Sequence, residues 1–275
     1  MSLELFDTHC HIHEMTKRIT PVYDKWYSDG VARTPEGVID AAHEAGVSRM
    51  LCIGTSLADS ELAVEFATGR EGMWTSIGIH PHEAALHLEQ ARKGQFAALL
   101  NDARKSKIVA IGECGLDYFY EHSPKEAQVE LLKFQIELAL EHDLPLSFHV
   151  REAFDDFWPI FDSYQGANVR GVLHSFTDNA IHLEQAMKRN LYIGVNGIAT
   201  FAKSPEQQAM YRAIPPEKLM LETDAPFLTP IPFRGKVCES RHVRVTAEFL
   251  AGLRQEKLEE LASAATANAR ALFRV

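Results

Sequence analysis

Eight short apolar runs, each followed by a helix-like stretch, constrain this chain more than any other feature. They lie at residues 3–9, 49–53, 73–77, 108–111, 145–148, 169–173, 191–195 and 219–221, with no break in composition between them. Continuous apolar runs such as 108–111 suit strands covered on both faces, as in a parallel sheet under helices. Eight βα units in 275 residues close most simply as one α/β domain over 1–275, a single (β/α)8 barrel. A doubly wound open sheet is the next arrangement.

The connecting stretches carry helix signals. Thr34-Pro35 pairs a cap with a first-turn proline, and Gly46 supplies the stop. Ser123-Pro124-Lys125-Glu126 reads as a capping box opening a helix that reaches about residue 142. One long helical pattern is expected up to residue 105. Residues 14–33 show no period and contain Tyr23, Trp26 and Tyr27. They read as a long loop, with at most a helical turn, over one end of the fold. Its aromatics are expected to pack as a lid in preference to stacking bases.

Ligand-type residues sit where the apolar runs end: His9, His11, His80, Glu113, His149, His174, Asn196 and Asp224. In a barrel of parallel strands those ends form one rim, where such folds place their active sites. By contrast His43, His87, His122, His142 and His182 fall in helical or loop contexts, facing solvent or capping helix ends. A lone His-x-His such as His9 and His11 says little. The same residue types recurring strand after strand say much more.

Four histidines (His9, His11, His149, His174) and two carboxylates (Glu113, Asp224) exceed the needs of one open catalytic metal site. They suit two divalent cations sharing Glu113 as a bridge, with His9, His11 and Asp224 on one and His149 and His174 on the other. Cations roughly 3.5–4 Å apart can activate a water and clamp the oxygens of an in-line displacement. Histidine-rich ligation favours zinc or manganese, whereas phosphoryl transfer and carboxylates are compatible with magnesium. Asp224 and Glu113 are the expected catalytic carboxylates, with Asp224 accepting or orienting the water's proton. His80 and Arg151 are the substrate-binding candidates. His80 either contacts substrate or hydrogen-bonds within its proline turn; Arg151 either clamps phosphate or pairs with a carboxylate such as Asp117. Asp117 is otherwise a group that orients a ligand histidine, His82 is expected to be structural, and Cys10 and Cys114 are expected to pack beneath the helices.

A formal net charge of −10 is the wrong sign for gripping long stretches of nucleic-acid backbone. The four cysteines form no C-x-x-C pair, and reduced thiols in a cytoplasmic protein are expected. The N-terminal residues lack signal-peptide features, and no apolar run is long enough for a bilayer. Neither a membrane nor an obligate protein partner is therefore inferred.

Four blocks now bear on ancestry: Asp7-Thr8-His9-Cys10-His11, Gly78-Ile79-His80-Pro81-His82, Gly112-Glu113-Cys114-Gly115-Leu116-Asp117-Tyr118 and Leu221-Glu222-Thr223-Asp224-Ala225-Pro226. With His149-Val150-Arg151 and His174-Ser175-Phe176, they resemble, in order, the signature blocks of the TatD family of metal-dependent hydrolases on TIM barrels. The resemblance implies His9, His11, Glu113, His149, His174 and Asp224 as metal ligands. It also implies deoxyribonuclease activity, 3′ to 5′ in polarity, and the acidic charge with a recessed rim favours single strands or DNA ends over intact duplex. Two departures from the family pattern are the length of the 14–33 loop and Cys238-Glu239-Ser240 where Asn-Glu-Pro is common. A related chemistry keeps the metals but attacks a carbonyl, as in an aminoacyl-tRNA deacylase. A non-catalytic binding barrel is disfavoured by the complete ligand set.

Overall fold

In the computed structural model, residues 3–120 and 122–275 are described. The elements in chain order are β1 (Leu5–Cys10), α1 (Pro21–Trp26), α2 (Pro35–Glu44), β2 (Val47–Ile53), α3 (Leu57–Ala67), β3 (Met73–Ile77), α4 (Ala84–Arg92), α5 (Gln95–Leu100) and β4 (Ile108–Asp117). They continue as α6 (Lys125–Glu141), β5 (Leu146–Arg151), α7 (Phe154–Asp162), β6 (Gly171–Leu173), α8 (Ala180–Lys188), β7 (Tyr192–Val195), α9 (Pro205–Ala213), β8 (Leu219–Leu221), α10 (Val243–Arg254) and α11 (Leu258–Phe273). The parallel strands hydrogen-bond in the order β1 to β8 in one eight-stranded sheet, the (β/α)8 barrel expected from the alternating runs.

Two compact units make up the chain: residues 1–52 with 175–275, and residues 53–174. In the first, β8 returns to β1. A bridge joins Cys10 to Ala225, His11 N–H donates to Ala225 O at 2.8 Å, and Asp224 N–H donates to His9 O at 2.8 Å. Helix α11 lies on β1 and β8, burying Leu261, Ala265, Ala269 and Leu272 at helical spacing. In the second unit β4 pairs with both β3 and β5, and all ten of its residues are buried. That burial accounts for the unbroken apolar run at its start.

Several local expectations need correction. The long helical pattern before residue 105 breaks at Gly94, whose φ of +79° ends α4 and lets α5 begin afresh. The capping box at Ser123 does not form; Pro124 is the N-cap. The Ser123 hydroxyl is used elsewhere, donating to His82 O at 2.6 Å and accepting from Ala85 N–H at 3.1 Å.

The 14–33 segment contains α1, capped by Thr20, and is a brace as well as a loop. Trp26 is fully buried, and its indole N–H donates to His11 O at 3.0 Å. Arg33 pairs with Asp29 at 2.7 Å and with Glu239 at 2.8 Å, and Val237 N–H donates to Asp29. The 14–33 segment and the stretch around Glu239 therefore hold each other. Trp26 is part of the core and presents no face to a base. The four cysteines are buried free thiols, with Cys10 donating to Leu51 O and Cys114 to Ser147 O, so both pack as expected. No helix among the described residues is long and apolar enough to cross a membrane.

Candidate metal centre

In the first unit, β1 carries His9 near its end and His11 just beyond it, while Asp224 follows β8. Both imidazoles face one carboxylate oxygen: His9 Nε2 lies 3.5 Å and His11 Nε2 3.3 Å from Asp224 Oδ1. Asp224 has a φ of +63°, a left-handed conformation that costs a non-glycine residue roughly 1–2 kcal/mol. The neighbouring bonds impose that turn. Asp7, buried beneath it, accepts from Thr223 N–H at 2.8 Å and from the Thr223 hydroxyl at 2.7 Å. The same hydroxyl accepts from Ala225 N–H at 3.1 Å. Burial pushes the Asp7 carboxyl up to about 7, against the Thr223 hydrogen bonds that pull it down.

The second unit builds a matching group around Glu113 of β4. His149 Nδ1 lies 2.9 Å, His80 Nε2 3.4 Å and His174 Nε2 3.6 Å from Glu113 Oε1. Three imidazoles cannot all donate well to one carboxylate oxygen, which offers two lone-pair directions. A divalent cation among the same atoms uses nitrogen and oxygen lone pairs together. Potential ligand atoms of His80, Glu113 and His149 lie within 4.8 Å of one another, and of these Glu113 and His149 have lone pairs to offer such an ion.

Second partners separate the roles of these histidines. His149 Nε2 faces Asp117 Oδ2 at 2.9 Å, which leaves Nδ1 toward Glu113 as the coordinating atom. Burial works against a charge on His149, but the hydrogen bonds to Asp117 and Glu113 outweigh it and raise its pKa. His80 behaves differently. Its Nδ1 accepts from His82 N–H at 3.2 Å, so the neutral ring carries its proton on Nε2 and points a donor at the centre. Burial lowers the His80 pKa to about 4 despite the opposing pull of Glu113, which keeps the ring neutral at pH 7. Both alternatives expected for His80, a bond within its turn and a group presented to substrate, are thus compatible.

Asp117 orients a ligand histidine, as one of its two expected roles had it, and its reach to a second ring is what the sequence did not show. Its Oδ2 meets His149 and also His82 Nε2 at 3.0 Å, while Oδ1 accepts from Phe119 N–H and Tyr120 N–H. Burial alone would raise this carboxyl, but the hydrogen bonds from His149 and His82 hold it well below the usual carboxylate range. Arg151 does not take up Asp117 in these contacts; its guanidinium lies 4.1 Å from the Phe119 ring centroid. Asn196 is structural, capping the turn after β7 and donating to Ser175 Oγ at 2.8 Å. His82, as expected, serves the framework.

The family model described as TatD related DNase matches residues 6–274. The chain belongs to that family. Among TatD-family relatives, the uncharacterized metal-dependent hydrolase YabD of Bacillus subtilis (strain 168) is 35% identical over 271 residues, covering 98% of this chain and 99% of that one. The 3′-5′ ssDNA/RNA exonuclease TatD of Erwinia billingiae (strain Eb661) is 35% identical over 254 residues, covering 89% and 94%. The crystal structure of YJJV, a TatD homolog from Escherichia coli K12, superposes with a TM-score of 0.86 at 26% identity over the whole of both chains.

One prediction arises directly from the Asp117–His149 contact. Asp117→Asn keeps the size of the side chain but removes the charge that orients His149. Metal affinity and turnover should each fall by about 10–100-fold, measured by metal titration and by steady-state cleavage. Unaltered metal affinity would show that His149 does not depend on this carboxylate.

Proposed function

We propose that this chain is a metal-dependent exodeoxyribonuclease that hydrolyses phosphodiester bonds at single-stranded or frayed DNA ends, 3′ to 5′, with residues 1–275 acting as one catalytic domain. The observation that carries the reading is the pair of histidine–carboxylate groups, around Asp224 and around Glu113, in a family whose named members include an exonuclease acting on single strands. His9, His11 and Asp224 would hold one divalent cation and His149 and His174 the second, with Glu113 shared. Zinc and manganese suit the histidines of this donor set, while its carboxylates are compatible with magnesium. When bound, such cations supply a lowered pKa for water and positive charge for the phosphate oxygens.

The chain's own groups do the rest. The Asp224 carboxylate takes the proton of the attacking water. The buried His80 Nε2–H donates to a non-bridging phosphate oxygen as negative charge accumulates there. Arg151, on the exposed end of β5, offers a guanidinium to an adjoining phosphate. A net charge of −10 weakens the hold on intact duplex and favours an end delivered to the rim. The four buried free thiols support a reducing, cytoplasmic setting.

The test is one assay with four substrates: an end-labelled single strand, its duplex, a closed single-stranded circle and an aminoacyl-tRNA. Mononucleotides should leave the 3′ end of the single strand faster than from duplex, while the circle stays intact. Rapid opening of the circle would refute the end-directed reading. Release of the aminoacyl group with every DNA left intact would make the chain a deacylase.

A further inference from the structure

We propose that Phe119, Tyr120 and Arg151 form a stacking platform that seats a terminal base of single-stranded nucleic acid beside the Glu113–His149 group. The inference rests on the nuclease reading above and names how that site would hold its strand. Phe119 and Tyr120 are 48% and 49% exposed, just after β4. Scattered exposed rings are ordinary on protein surfaces. These two are distinguished by being adjacent, edge to face at a centroid distance of 4.7 Å, and by sharing one cation. The Arg151 guanidinium lies 4.1 Å from the Phe119 centroid and 4.7 Å from that of Tyr120. Aromatic faces beside an arginine are the means by which proteins hold single strands without reading sequence: the rings take the base and the cation takes the backbone.

The platform is also fixed relative to the candidate centre. Asp117 Oδ1 accepts the backbone N–H of Phe119 at 3.0 Å and of Tyr120 at 3.1 Å, while Oδ2 holds His149 at 2.9 Å. One buried carboxylate thus sets both the imidazole and the start of the aromatic segment. Tyr118 anchors the same segment, its hydroxyl donating to Asp156 at 2.8 Å with the Lys125 ammonium over its ring. Rings tile the interval between surface and centre. Tyr120 meets His82 at 5.5 Å, His82 meets His80 at 4.3 Å, and His80 meets His149 at 4.6 Å.

The occupant follows from this chemistry. On a chain of net charge −10, a lone guanidinium lying on aromatic faces does not amount to a basic patch for duplex backbone. It suits one base with its adjoining phosphate, which an exonuclease must hold next to the bond being cut.

The experiment measures fluorescence anisotropy of a labelled ten-nucleotide single strand with a cleavage-resistant phosphorothioate last linkage. A second strand, abasic at its last two positions, is measured beside it. The unaltered protein should bind the intact strand about tenfold more tightly than the abasic one. Phe119→Ala and Tyr120→Ala should each lose most of that preference while melting within a few degrees of the parent, and Tyr120→Trp should retain it. Equal binding of the two strands by the unaltered protein, or a preference undiminished in both alanine variants, would overturn the platform. Cleavage without base preference would remove the platform and leave the nuclease reading standing. Base preference without cleavage of any DNA would support the platform and remove the nuclease reading.

Discussion

Glu113→Gln is expected to lower turnover on the order of 10³-fold while leaving the fold intact. Glutamine matches glutamate in volume, so packing around the buried β4 is preserved. What changes is charge and donor character at the point where His149, His80 and His174 converge on Oε1 at 2.9, 3.4 and 3.6 Å. A neutral amide cannot serve as an anionic bridge, and its NH2 group presents hydrogens where a cation requires lone pairs. Replacing His142, the C-cap of α6, or His182, which lies on α8 within 3.9 Å of Asp178 before it, should change turnover less than about twofold. Steady-state cleavage of a labelled strand checks all three variants. Near-normal turnover in Glu113→Gln would show that the bridge lies elsewhere.

Gly115→Ala is expected to be the most damaging change to the fold. Gly115 has a φ of +151°, which an L side chain rarely adopts, and a Cβ there would run into the carbonyl oxygen of His149 on the paired strand β5. The opposing atom is backbone and cannot rotate away, so either β4 and β5 separate or the residue changes conformation. Overpacking and dihedral strain together should cost about 3–5 kcal/mol, and any chain that still folds should carry a displaced His149. Denaturant melts read the first effect and metal titration the second. Unchanged stability would mean that β4 and β5 tolerate more separation than their register suggests.

The barrel and the polar tips of its strands were legible because both follow from one pattern, an apolar run closed by a ligand-type residue. His9, Glu113 and Asp224 stand out in the sequence for that reason. The remainder depended on side-chain direction and on partners distant in the chain. Nothing in the spacing of Asp117, His82 and His149 reveals that one carboxylate serves both rings. Trp26 sits in an aperiodic stretch, where a core tryptophan and an exposed one look alike; its indole bond to His11 O decides the matter. Ser123 had the spacing of a capping box, but the turn at residues 82–85 claimed its hydroxyl. The tautomer of His80 needed its bond from His82 N–H, a contact between residues two apart that no periodicity encodes.

The central claim is that hydrolysis depends on divalent cations held by the histidine–carboxylate groups at Asp224 and Glu113. The most direct measurement removes metal with a chelator and then titrates manganese back, reading bound metal per chain and cleavage of an end-labelled single strand on the same samples. The account predicts an inactive metal-free protein, recovery as binding approaches two ions per chain, and neither full binding nor cleavage in Glu113→Gln. Full-rate cleavage by the metal-free chain, or manganese binding unaffected by both Glu113→Gln and Asp224→Asn, would contradict it.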